Sequence, residues 1–196
     1  MNNNKIDKSV ILNEIIAWDS IIGEKVNLIA CGGAALTLLD VKEFTRDVHF
    51  VVPKAQEYHY LLKVLPRAGY KPIKSGGLKR EYGFKFEFFK GNTVDATKLV
   101  HSPLKEDKHI KLKQFKYIYA GALNFYDLII SKLFKASPAD IDDCLELIKL
   151  KREEIDVNKL KTHYLETSKL NVSGKDLKKN LESFLRVLGK AKLLKN

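Results

Sequence analysis

Four residues in one stretch of the chain, Gly32, Gly33, Asp47 and His49, have the types and spacing for chemistry on a phosphorylated ligand. The stretch, residues 26–52, reads VNLIACGGAALTLLDVKEFTRDVHFVV. An apolar run, Val26 to Ala30, ends in Cys31 and the glycine pair, and a small-residue segment, Ala34 to Leu39, follows. A second apolar run, Val48 to Val52, holds His49 and is introduced by Thr45, Arg46 and Asp47. The pattern predicts strand, glycine turn, short helix, strand. Glycines at a strand end let backbone N–H groups approach a phosphate with no side chain in the way, and the next helix directs its N-terminus to the same place. Asp47 and His49 are two apart on a predicted strand, so their side chains leave one face. A phosphate cradle and a pair of polar ligands thus come from adjacent elements.

The rest of the chain must position them. Ser9 to Ile22 carries apolar residues at helical spacing and predicts an amphipathic helix ended by Gly23. Pro53 stops the second strand, and Ala55 to Leu65 reads as a helix. Lys74 to Arg80 is a glycine-rich basic stretch, read as an exposed connection. Tyr82 to Phe89 alternates apolar and polar residues, Lys90-Gly91-Asn92 supplies a turn, and Thr93 to Val100 returns, which predicts a hairpin. Asp95 lies on its return strand and Glu87 on the outgoing one. Ile110 to Tyr119 reads as one further strand. Asn124, with Asp127 three residues on, caps a helix. Ser137-Pro138-Ala139-Asp140 starts another, and Asp156 and Ser173 begin two more. The composition shifts near Gly121, giving an α/β core over 1–120 and a helical region over 121–196 packed on it.

With 45% hydrophobic and 10% aromatic residues among 196, the chain can bury a core, which excludes wholesale disorder. The net charge is +11, from 35 Lys plus Arg against 24 Asp plus Glu. That excess suits polyanions, whether RNA, DNA or a nucleoside triphosphate, although a lysine-rich solvated surface accounts for it equally well. Two distant cysteines, Cys31 and Cys144, give neither a disulfide framework nor a zinc spacing, and are expected to pack as small apolar residues. No apolar run approaches membrane-spanning length and the start, MNNNKIDK, is not a signal peptide, so a cytoplasmic protein with no membrane partner is expected. No Ser-His-Asp or Cys-His arrangement and no Walker or dinucleotide-binding glycine pattern is present.

The order Gly32-Gly33, thirteen intervening residues, then Asp47-Val48-His49 resembles the signature of the DNA polymerase beta-like nucleotidyltransferases. Their pattern is a glycine followed by glycine or serine, a gap, and Asp-x-Asp or Asp-x-Glu on the next strand. A second block, Leu123 to Leu133 with Lys132 before Leu133, is similar to a segment of toxin-type and abortive-infection members of that superfamily. The resemblance implies a small mixed sheet flanked by helices and followed by a helical bundle. It also implies transfer of a nucleoside monophosphate from an NTP to an acceptor (RNA such as a tRNA end, a small molecule or a protein), with divalent metal, magnesium or manganese. Residue by residue, it makes Asp47 a shared metal ligand, puts His49 in the second ligand position, and makes Asp95 the third acid, with Glu87 the alternative. Gly32 and Gly33 would cradle phosphates, Thr45 or Arg46 would orient Asp47 or touch phosphate, and Lys132 would meet the triphosphate. A structural ion pair for Arg46 is equally open. The superfamily's basic residue before Asp-x-x-Asp is replaced here by Ala139, and Asp140 and Asp143 are read as structural.

His49 departs from the pattern. A neutral imidazole brings no negative charge to a cation that prefers hard oxygen, and a protonated one repels it. A preference for manganese, a one-metal site, or a catalytically degenerate fold that binds nucleotide, RNA or a protein partner would each follow. The expectation is that His49 occupies the ligand position with weak or no ligation.

Overall fold

The apolar alternation of residues 26–52 builds the centre of a mixed sheet. The computed structural model describes residues 5–73, 77–80, 83–171 and 176–193. In chain order the elements are β1 (Ile6–Asp7), α1 (Lys8–Asp19), β2 (Val26–Cys31), α2 (Gly32–Leu38), β3 (Phe44–Thr45), β4 (Val48–Val52) and α3 (Ala55–Val64), which runs on into a 3-10 turn, Leu65–Ala68. Then come β5 (Lys71–Pro72), β6 (Leu78–Lys79), β7 (Lys85–Lys90), β8 (Thr93–Val94), β9 (Thr97–Lys98), β10 (His109–Gln114) and β11 (Ile118–Leu123). Four helices close the chain: α4 (Phe125–Leu133), α5 (Pro138–Leu150), α6 (Val157–Lys169) and α7 (Leu177–Lys190). The α/β class expected from the sequence is the class observed. The chain divides into two compact units, Met1–Thr93 with His101–Leu123, and Val94–Val100 with Asn124–Asn196.

In the first unit seven strands run in the order β10-β11-β2-β4-β7-β6-β5. β2 pairs antiparallel with β4 and parallel with β11, and β4 pairs parallel with β7. The pleat sends Leu28, Ala30, Val48, Phe50, Phe86 and Phe88 to one face, where all are buried. Trp18 of α1 fills that face, its ring edge-on to Phe50 at 6.0 Å and to Phe86 at 4.7 Å. Such aromatic packing contributes roughly 0.5–1.5 kcal/mol per pair beyond area burial. The other face carries Asn27, Cys31, His49, Glu87 and Tyr119, and α3 packs on part of it, where Glu57 accepts from the backbone and side-chain N–H groups of Asn27 at 2.8 and 2.9 Å. One face is therefore core and the other is mixed and partly polar.

Two expectations are corrected here. Residues 110–119 are a hairpin and not one strand: β10 turns at Phe115–Tyr117 into β11, and the Asp19 carboxylate holds the turn by accepting from the N–H groups of Lys116, Tyr117 and Ile118. The expected hairpin over 82–100 is absent among the described residues. β7 joins β4 and β6, whereas β8 and β9 pair with each other as a separate ladder. Tyr82, the start of that expected strand, and Lys74 to Gly76 of the basic connection lie outside the described residues.

In the second unit the helix starts follow the capping chemistry. Asn124 accepts from the Asp127 N–H at 2.9 Å and donates its amide to the Asp127 carboxylate at 2.7 Å. Ser137 accepts from Asp140, and Asp156 caps α6. α7 is capped by Asp176, while Ser173 lies outside the described residues. The buried face of α7, Leu177, Leu181, Phe184 and Leu188, anchors this unit, with Tyr164 donating its hydroxyl to the Leu177 carbonyl at 2.8 Å. Both cysteines are buried, as expected of small apolar packing.

Candidate active site at the sheet edge

β2 and β4 are central strands, and because they are antiparallel and joined by α2 and β3, β2 ends and β4 begins at the same strand-end edge of the sheet. Cys31 faces His49 across the β2–β4 pairing, and His49 faces Glu87 across the β4–β7 pairing. These three side chains leave the same face. His49 Nε2 lies 3.2 Å from Glu87 Oε2, an ion pair when the ring is protonated. The ring also stands edge-on to Phe89 at 5.7 Å. Asp47 sits in the bend one residue before β4, exposed and with no ion pair among the described residues.

Gly32 has φ +57°, a left-handed conformation that L side chains rarely adopt, and a Cβ there would come within 3.7 Å of His49 Nδ1. The imidazole thus borders the glycine turn. At Gly33 a Cβ would fall 2.4 Å from the Thr45 hydroxyl, so close packing of α2 on β3 requires this glycine. Thr45 is buried and donates its hydroxyl to the Asp47 carbonyl at 3.0 Å, which fixes the bend that carries Asp47. Arg46 is exposed and forms no ion pair among the described residues. α2 has seven residues, so its dipole is small; the turn offers backbone N–H groups and little more.

Asp95 and Lys132 belong to the second unit. Asp95 is not on a strand beside β4. It occupies the turn between β8 and β9 with φ +52°, half-exposed, and its carboxylate lies 2.5 Å from Lys135 Nζ. The strand beside β4 is β7, and the acid it brings opposite His49 is Glu87. Alternation along 84–88 marked Glu87 as a strand acid, but sequence gives no sign of which strands become neighbours. Lys132 is buried in α4 and held by Asp143 at 2.7 Å and Asp140 at 3.1 Å. Burial opposes its charge, but the hydrogen bond and charge of Asp143, then those of Asp140, outweigh this and hold its pKa above the ordinary lysine value. Burial also opposes ionisation of Asp140, which Ser137 and Lys132 overcome, so its pKa lies below the ordinary carboxylate value. Among the described residues no group of three His, Cys, Asp or Glu side chains is placed to hold a metal ion.

The fold is shared by solved structures at low identity. ANT(2″)-Ia in complex with adenylyl-2″-tobramycin matches at 12% identity with a TM-score of 0.53, over 83% of this chain and 97% of that one. An antigenic nucleotidyltransferase-like protein from Paracoccidioides brasiliensis matches at 15% identity and 0.50, over 96% and 91%. Lincomycin-bound lincosamide antibiotic adenylyltransferase LnuA matches at 15% identity and 0.50, over 74% and 98%. No curated protein matches by sequence. Among the described residues no helix is long and apolar enough to cross a membrane. A family model, "Nucleotidyltransferase of unknown function (DUF6036)", matches residues 12–186, and by that match over most of its length the chain belongs to this nucleotidyltransferase family.

Proposed function

We propose that the protein transfers a nucleoside monophosphate from an NTP to an acceptor at the sheet edge formed by Gly32, Asp47, His49 and Glu87. In that reaction the acceptor oxygen or nitrogen bonds to the α-phosphorus. The bond from that phosphorus to the bridging oxygen breaks, pyrophosphate leaves, and the acceptor's proton passes to a carboxylate. The observation that carries the reading is the alignment of His49 with Glu87 across β4 and β7, beside a glycine turn whose backbone conformation L side chains rarely adopt. Glu87 replaces Asp95 as the third acid, because it faces the position that the family pattern gives to the second one. Asp47 supplies the exposed carboxylate, Arg46 is free to meet phosphate, and Thr45 acts by positioning Asp47. Lys132 has no part in this reading, since two carboxylates already neutralise it.

This reading does not rest on a divalent cation held by Asp47, His49 and Asp95. The His49 ring is turned onto Glu87, Asp95 is turned onto Lys135, and no three-donor group exists among the described residues. No step is therefore assigned to a metal held by protein ligands alone. Calorimetric titration with ATP, GTP, CTP and UTP, with magnesium and then manganese, tests the reading. Binding of one nucleotide that Asp47→Asn weakens supports it, and no binding under any condition overturns it.

A second reading, favoured by the histidine in the second acid position, is a fold that binds nucleotide, RNA or a protein partner without transfer. Restoring the acid by His49→Asp separates the two. Labelling of acceptors that appears only in the variant supports the second reading, and labelling by the parent refutes it. The neighbours that hold adenylyl-2″-tobramycin and lincomycin share the fold alone, so the acceptor has to be read from this chain's own surface.

A further inference from the structure

The same sheet face carries a second polar site. β10, β11, β2 and β4 put His109, Leu123, Cys31 and His49 in one row across the sheet, Leu123 being one residue beyond the paired Ala122 and Ala30. Three strand spacings separate His109 from His49, about 14 Å. The His109 ring lies over Gly121, where an added Cβ would fall 3.1 Å from its Cδ2. Its Nε2 is 2.7 Å from the Tyr119 hydroxyl. Its Nδ1 is buried away from solvent and has no hydrogen-bond partner among the described residues. These groups line an open cavity of about 500 Å³ with Asn27, Lys111, Glu106 and Asp107. Glu57 takes the amide of Asn27, leaving its carbonyl oxygen as the acceptor it can offer.

Burial pushes the Tyr119 hydroxyl above its ordinary pKa, so it stays a neutral phenol. The charged lining is two exposed carboxylates against one lysine, on a chain whose net charge is +11. That balance disfavours a triphosphate. The volume suits a small molecule and is too small for a folded RNA.

We propose that the cavity around His109 and Tyr119 is the acceptor subsite, and that it takes a small, hydroxyl-rich amine. Hydroxyls meet Tyr119 and the Asn27 carbonyl oxygen, His109 holds the Tyr119 hydroxyl in place, and an ammonium meets Glu106 and Asp107. The assignment of the word acceptor rests on the nucleotidyl-transfer reading, while the binding chemistry stands without it.

The test is amide NMR of the full chain titrated with chitosan disaccharide, cellobiose and glucose 6-phosphate. Chitosan disaccharide is expected to move the Asn27, Lys111 and Tyr119 resonances saturably and to bind about tenfold tighter than cellobiose. Glu106→Gln with Asp107→Asn removes that advantage, Tyr119→Phe weakens both sugars, and glucose 6-phosphate binds least. Equal binding of the two disaccharides, tighter binding of the phosphate, or no response to any probe overturns the proposal. If an NTP moves Gly32 and Gly33 while no sugar moves Asn27, this inference fails and the transfer reading stands. Sugar binding with no response to any NTP is the reverse.

Discussion

Lys132 with Asp140 and Asp143, and His49 with Glu87 beside Asp47, are both small sets of acids and bases in motifs that look alike in sequence. In the first, every charge is answered within hydrogen-bonding distance and the three side chains are at most 17% exposed. In the second, Asp47 and Arg46 are exposed without partners among the described residues, and the His49–Glu87 pair is about a quarter exposed. A satisfied, buried set resists substitution because it holds a fold together. A partly unsatisfied set at a sheet edge contributes little to stability and is available to a ligand.

The largest effect tests the first half of that contrast. Lys132→Met should destabilise by about 3–5 kcal/mol in urea titration, because it strands two carboxylates in a buried site. A change below about 1 kcal/mol would mean that water answers those charges and that the triad is not structural. pH sharpens the same point. Asp140 has a folded-state pKa below its ordinary 3.8, so its contribution is present above that value and is lost as pH falls through the lower folded value. Lys132 is raised above its ordinary 10.5, so its contribution is present below 10.5 and is lost as pH rises beyond it. Asp140→Asn should therefore flatten the acid limb of the stability profile and leave the neutral plateau level.

Next in size, Glu87→Gln should lower nucleotide transfer about 100-fold while leaving the unfolding free energy within about 0.5 kcal/mol of the parent. Asp95→Asn should change transfer by less than about twofold. The reverse order would restore Asp95 to the site and remove Glu87. Smaller again, Gly33→Ala should destabilise by about 1–3 kcal/mol through the Thr45 contact, and adding Thr45→Ala should return part of that loss.

What was legible in the sequence divides along similar lines. Local chemistry was readable: the glycine turn after β2, the caps at Asn124, Ser137 and Asp156, and the alternation that makes β7. Partner choice was not. Residues 82–100 looked like a hairpin because Gly91 is a good turn residue, but its N–H bonds to Val52 and the chain goes on to make a separate ladder. That one long-range pairing, β4 with β7, decides whether Asp95 or Glu87 faces His49. The turn inside 110–119 was hidden for a related reason. Phe115 to Tyr117 holds no glycine or proline, and the carboxylate that stabilises the turn is Asp19, nearly a hundred residues away. The pairing of Lys132 was not legible either, since Asp140 and Asp143 lie eight and eleven residues further on and the spacing does not tell a lysine waiting for phosphate from one already paired.

The smallest stability effect is the most informative about the sheet edge. Arg46 is exposed, makes no ion pair among the described residues, and follows the buried Thr45 that fixes the bend. Arg46→Ala should leave the unfolding free energy in urea within about 0.5 kcal/mol, since no packed atom or paired charge is lost. If the guanidinium meets phosphate, nucleotide affinity should fall about tenfold in the same variant, and the loss should shrink as salt is raised. Unchanged affinity would place the phosphates elsewhere and leave the glycine turn with only a packing role. A residue that costs nothing to remove from the fold and much to remove from the complex is the converse of Lys132. Finding it beside Asp47 would locate function at the edge where β2 ends and β4 begins.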